Sequence, residues 1–103
     1  MKIGTMVALD DNVVAKIGDV KKYGLSSFQL VCWDMARFTP ENAALVKTAA
    51  SENGLEISAL WCGWEVAPTW DFIDGYHTIG LVPIAYRARR VQNLKDGSDF
   101  AKK

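Results

Sequence analysis

The chain has 103 residues, half of them hydrophobic and 23% charged, with 12 basic and 12 acidic side chains. That is enough for one domain with a modest core, and the balanced charge makes no electrostatic case for nucleic acid or an anionic membrane as partner. No apolar run approaches the roughly 18 residues of a membrane span, no signal-peptide core follows Met1, and two cysteines make neither a disulfide framework nor a zinc spacing; the expected location is cytoplasmic.

Residues 2–8 read as a first strand, followed by a Leu9-Asp10-Asp11-Asn12 turn and a helix to about residue 23. Asp10, Asp11 or Asn12 can accept from the free amides that begin the helix, and acidic groups suit its positive end. Val13, Val14, Ile17 and Val20 recur at helical spacing and form the expected buried stripe. Lys21 and Lys22 suit the last turn, and Gly24 stands where a left-handed residue closes a helix.

A second unit begins with a strand over residues 27–33 and a polar mouth over residues 34–38. Thr39-Pro40-Glu41 then supplies a hydroxyl cap, a proline at the first helical position and a carboxylate in the first turn. Leu45, Val46, Ala49 and Ala50 form the expected apolar side of this helix, and Gly54 ends it as Gly24 ended the first.

The third unit opens with the apolar run Leu55 to Glu65, LEISALWCGWE. Shifted back thirty residues it finds a partner: Gly24, Leu25, Leu30 and Cys32 align with Gly54, Leu55, Leu60 and Cys62. Repeated helix end, glycine and buried strand is the pattern of successive βα units, and nearly continuous apolar strands suit a parallel sheet. The connection over residues 65–82 is eighteen residues long, far beyond an ordinary βα loop, and holds Trp70, Phe72, Tyr76 and His77, too aromatic for a solvated linker. Pro83 opens a third helix whose expected face is Ala88, Val91, Leu94, Ser98 and Ala101, weakened at Gly97 by about 1 kcal/mol relative to alanine. No C′ glycine and no fourth strand follow. The expectation is α/β with three consecutive βα units, at about residues 1–24, 25–54 and 55–103, forming one partial domain cut before strand four.

Alternation along the strands sorts the side chains into two sets. Gln29 would be costly beneath helices without a partner, so Ser27, Gln29, Val31 and Trp33, with Ile57, Ala59, Trp61 and Gly63, are assigned inward. Phe28, Leu30 and Cys32, with Ser58, Leu60 and Cys62, then face the helices. The cysteines there read as small buried hydrophobes, against nucleophile or metal-ligand readings that lack a histidine at useful spacing.

Ligands of parallel α/β sheets bind beyond the carboxyl ends of the strands. Asp34 and Glu65 stand there as an acid/base pair or cation holders, or else as helix caps and solvated charges. Trp33, Trp61, Trp64 and Trp70 crowd the same rim, either as an apolar wall for a sugar ring or as hydrophobic cover. The expected substrate-lining residues are therefore Gln29, Trp33, Asp34, Trp61, Trp64, Glu65 and Trp70. His77, the lone histidine, suggests no metal site, and Arg87, Arg89 and Arg90 read as a solvated helix face rather than a phosphate site.

Lys2-Ile3-Gly4, the run Gly24-Leu25-Ser26-Ser27-Phe28-Gln29-Leu30 and Ile57-Ser58-Ala59 resemble the sugar phosphate isomerase/epimerase family, the xylose isomerase-like TIM barrels. More specific are Ile79-Gly80-Leu81-Val82-Pro83, Tyr86-Arg87 and the helix ending in Gly97-Ser98-Asp99-Phe100-Ala101-Lys102. The resemblance covers essentially the whole chain and implies the N-terminal part of a (β/α)8 barrel. It also implies a divalent metal (Mn, Mg, Zn or Co) and aldose–ketose isomerisation or epimerisation of a sugar or sugar phosphate by proton transfer next to a carbonyl. The family's metal ligands come from strands of the second half, so no metal ligand or catalytic residue is carried over and no cofactor is expected in this piece.

Two functions follow as expectations. One is the front of a metal-dependent sugar isomerase or epimerase, inactive alone; the other is an assembly module that self-associates through two open strand edges and an uncovered sheet face. Endonuclease IV shares the barrel, but the neutral charge and the lack of a basic mouth argue against DNA repair.

Overall fold

Strands β1 (Gly4–Ala8), β2 (Ser27–Cys32) and β3 (Glu56–Cys62) run parallel, in the order β1-β2-β3. Helices α1 (Val13–Lys22) and α2 (Pro40–Glu52) connect them, and α3 (Ile84–Ala101) follows β3. The computed structural model describes residues 2–65, 70–81 and 83–103. Residues 66–69 of the long connection, and Val82 of its Gly-Leu-Val-Pro end, lie outside the described residues. Among the described residues no helix is long and apolar enough to cross a membrane.

The repeat is a repeat of helix endings. Gly24 and Gly54 both have positive φ, 75° and 64°. Leu25 N–H donates to the Val20 carbonyl at 3.3 Å and Gly24 N–H to Lys21 at 3.0 Å; Leu55 donates to Ala50 at 2.9 Å and Gly54 to Ser51 at 3.1 Å. Both are Schellman closures, in which the leucine after the glycine packs back on the core and aims the chain into the next strand.

The helix starts differ. Thr39 caps α2 as expected, accepting from Asn42 N–H at 3.2 Å. At α1 no side chain caps; Asp10 instead accepts from Asn12 N–H at 2.9 Å and from Lys16, which holds its carboxyl below the usual carboxylate range.

The core lies between the sheet and α1 and α2, built on Val7, Ile17, Val20, Phe28, Leu30 and Val46. Each such burial contributes roughly 1.5–3 kcal/mol. Two expected core positions are not in it: Val14 is 44% and Leu45 46% exposed, each at the margin of its helix face, and Ala43 is buried instead.

Register corrects the face assignment at one place. Phe28 pairs with Ile57 but Gln29 with Ala59, so Ser58 is an extra residue on β3. This bulge turns Ile57 to the helix side, where it lines a groove with Leu30 and Val46, and turns Ser58 to the inner face beside Gln29. From Gln29 on, the thirty-residue offset holds through Cys32 and Cys62.

The face of α3 also differs from expectation. Its buried residues are Arg90, Asn93, Gly97 and Phe100, rotated away from the stripe of Ala88, Val91, Leu94, Ser98 and Ala101. Small size decides this. A β-carbon on Gly97 would come 2.6 Å from Cys62 Sγ, so α3 approaches β3 only because position 97 is glycine. Phe100 then meets Phe38 with ring centroids 5.0 Å apart.

Candidate functional site

Trp33 directly follows β2, Trp61 lies near the end of β3 and Trp64 stands two residues past it, and with Trp70 these four indoles gather at one rim. Trp33 is the hub: its ring centroid is 5.0 Å from Trp64, edge to face, 6.4 Å from Trp61 and 6.5 Å from Trp70. Trp64 and Trp70 lie 6.1 Å apart. Such tilted and edge-on pairs each add about 0.5–1.5 kcal/mol beyond area burial. Trp33, Trp61 and Trp70 remain exposed, which leaves an aromatic wall open at the carboxyl ends of the strands.

Each of the two carboxylates at the rim has an arginine of its own beside it. Asp34 caps a short 3-10 turn over Met35–Arg37, accepting from Ala36 N–H at 3.0 Å, and stands 3.6 Å from Arg37 Nε. Arg37 is claimed more closely by Asp11, at 3.0 Å, an ion pair that raises the guanidinium pKa further. Glu65 pairs with Arg89 at 3.2 Å, and its backbone N–H donates to Asn93 Oδ1 at 3.1 Å. Gln29 stands apart from the tryptophans, about 13 Å down the strand from Trp33 at the usual rise. It lines a cavity of about 340 Å³ on the inner face with Lys2, Gly4, Met6, Glu56 and Ser58.

Both cysteines point toward the helices. Cys32 donates to the Asp34 carbonyl at 3.1 Å and Cys62 lies against Asn93 and Gly97. Burial pushes both thiols up, away from the thiolate a nucleophile needs. In the long connection Trp70 joins the wall, whereas Phe72, Ile73 and Tyr76 face solvent, against the expectation that its aromatics would be covered. His77 stacks on Tyr76 at 3.7 Å.

The basic cluster on α3 is the largest departure from the sequence reading. Arg89 is a solvated charge on Glu65, and Arg87 Nε holds the Leu81 carbonyl at 2.7 Å. Arg90, however, is 1% exposed. Its Nη1 donates to the Thr78 and Gly80 carbonyls, the latter at 2.7 Å, and its guanidinium carbon lies 5.2 Å from the Trp64 ring and 4.9 Å from that of Tyr86. Burial pulls its pKa below the ordinary value. Arg90, Asn93 and Gly97 follow one another at helical spacing, and that polar stripe is the signal a search for apolar periodicity passes over.

No family model matches the chain, and no curated protein matches it. Among solved structures it is similar to a xylose isomerase domain protein from Planctomyces limnophilus, with a TM-score of 0.83 at 23% identity over 97% of this chain. Its three βα units, with their open parallel sheet, match part of a xylose isomerase-like TIM barrel. The chain spans 36% of that protein's length. The four tryptophans stand toward the carboxyl ends of β2 and β3.

A divalent metal requires several converging oxygen or nitrogen donors. Among the described residues no three His, Cys, Asp or Glu side chains converge, and Asp34 and Glu65 already face arginines. These residues do not make a metal centre by themselves. What they can do is present ring faces to an apolar surface and fix the loops that carry those rings.

Proposed function

We propose that this chain supplies the substrate wall of a sugar isomerase or epimerase whose metal ligands lie outside the described residues. The observation that carries the reading is the gathering of Trp33, Trp61, Trp64 and Trp70 at the carboxyl ends of β2 and β3, on a fold shared with a xylose isomerase domain protein. A pyranose presents a C–H face that stacks on indole, and the wall offers three half-exposed rings for it. The reading makes the chain one part of an eight-stranded barrel, because three βα units leave the sheet open at both borders. Turnover assays with Mn²⁺ or Mg²⁺ test it: the 103-residue chain should be inactive on aldoses and ketoses, and a longer reading frame should be active. An inactive longer frame that also fails to bind sugars would refute the reading.

A second reading, a self-associating assembly module, is favoured by the exposure of β3, whose residues from Glu56 to Ala59 are all open. Unpaired strand edges and an uncovered apolar face favour association with further chains. A stable monomer in sedimentation at micromolar concentration would contradict it.

A further inference from the structure

Two apolar features open to solvent are complementary in charge and in form. The first is a tip in the long connection. Trp70 fixes its base by packing on Trp33 and Trp64, and the chain then turns back at once. Asp71 Oδ1 accepts from Ile73 N–H at 2.9 Å and from Asp74 N–H at 2.6 Å, and the Asp71 carbonyl accepts from Gly75 N–H at 3.2 Å. This side-chain-closed turn displays Phe72, fully exposed, and the largely exposed Ile73 between two carboxylates. An aromatic ring held out by a fixed turn, rather than folded onto the indoles beside it, has the form of an interface anchor.

The second feature is an open groove of about 410 Å³ on the helix side of β3, between α2 and the end of α3. Leu30, Val46, Ile57, Leu60 and Phe100 give it an apolar lining, and its charged lining residues are Lys47, Lys102 and Lys103, with no carboxylate among the described residues that line it. Asp99 stands 3.6 Å from Lys102, but as an exposed pair it ties that charge only weakly. The groove has the volume of about a dozen waters, room for the two apolar side chains of the tip. Its lysines oppose the tip's two aspartates. The tip stands past the carboxyl end of β3 and the groove lies along residues 57–60 of that strand, so the tip of one copy meets the groove of another.

We propose that the Phe72-Ile73 tip of one copy of this chain docks in the lysine-flanked groove of a second copy. The proposal rests on the reading that copies associate, and gives the contact to a side chain and a groove instead of to strand edges. Each copy offers one tip and one groove, so the contact is head to tail and can extend beyond two copies.

Sedimentation of the 103-residue chain over about 10–500 μM tests it, with far-UV circular dichroism to verify each fold. The chain should associate reversibly, and a Phe72→Ser, Ile73→Ser chain should do so about tenfold or more weakly. Ala101→Trp, at an exposed residue lining the groove, should block it and weaken association as much. Should that variant not fold, Lys47→Glu with Lys102→Glu reverses the charge at two exposed positions and takes its place. Mixing the tip variant with the groove variant leaves one intact tip and one intact groove, and should restore a complex that stops at two chains. Association that both variants retain overturns the proposal and leaves the strand edges as its source. Loss in the tip variant with no recovery in the mixture overturns the groove as its seat. A monomer at every concentration overturns both the proposal and the reading on which it rests.

Discussion

Trp33 covers the backbone of Gly63, so that a β-carbon at position 63 would stand 2.3 Å from Cε3 of the ring. The hub of the aromatic wall is therefore seated on a glycine. Gly63→Ala should expel the Trp33 ring from its place and cost about 1–3 kcal/mol through overpacking. Chemical denaturation measures the cost, and loss of near-ultraviolet ellipticity shows that the indoles have lost their order. An unchanged spectrum would show that the ring does not depend on this seat.

Gly97 makes the same kind of contact with Cys62, but inside a helix. Alanine at 97 gains about 1 kcal/mol of helix propensity and loses more to the collision with Cys62 Sγ, so Gly97→Ala should be net destabilising. Cys62→Ala in the same chain removes the obstructing sulfur, and the double variant should recover most of the loss. A double-mutant cycle with no coupling would place the strain elsewhere.

Local closure predicts a third pair of effects. Thr39→Ala removes the hydroxyl that accepts from Asn42 and should cost about 0.5–2 kcal/mol. Gly54→Ala forces a side chain into the left-handed region and should cost about 1–2 kcal/mol. Thermal unfolding reads both, and substitution at Asn12, whose side chain makes no cap bond, should have a smaller effect than at Thr39.

The buried thiol of Cys32 and the half-buried one of Cys62 give a dependence on alkali. Below the ordinary thiol value of 9.0 both cysteines are protonated in the folded and the unfolded chain, and the full stability is present. As pH rises past that value the unfolded chain ionises while burial holds the folded thiols protonated, so stability falls until the raised folded pKa is passed. Denaturation midpoints should decline between about pH 8 and pH 10, less steeply in a Cys32→Ala, Cys62→Ala chain. Equal slopes would show that the thiols carry no part of it.

Local signals made the skeleton legible in the amino-acid order. Gly24-Leu25 and Gly54-Leu55 mark equivalent helix ends because a Schellman closure needs only a positive-φ residue and an apolar follower. The four tryptophans were placed at one rim by strand ends alone, and Thr39 by its cap chemistry. Two features were not legible. The bulge at Ser58 is an inter-strand event, and side-chain alternation read from one strand assigns Ile57 to the wrong face. Arg90 was hidden for a different reason: its partners are backbone carbonyls and ring faces, which leave no charge pattern in the sequence.

The gathering of every indole at one end divides the molecule optically. Emission excited at the red edge of the absorption band reports that end and is blind to the opposite one, where Lys2 and Glu56 meet at the amino ends of β1 and β3. Heat should thus reveal two midpoints by two probes if the ends melt separately, and one midpoint if the chain yields as a whole.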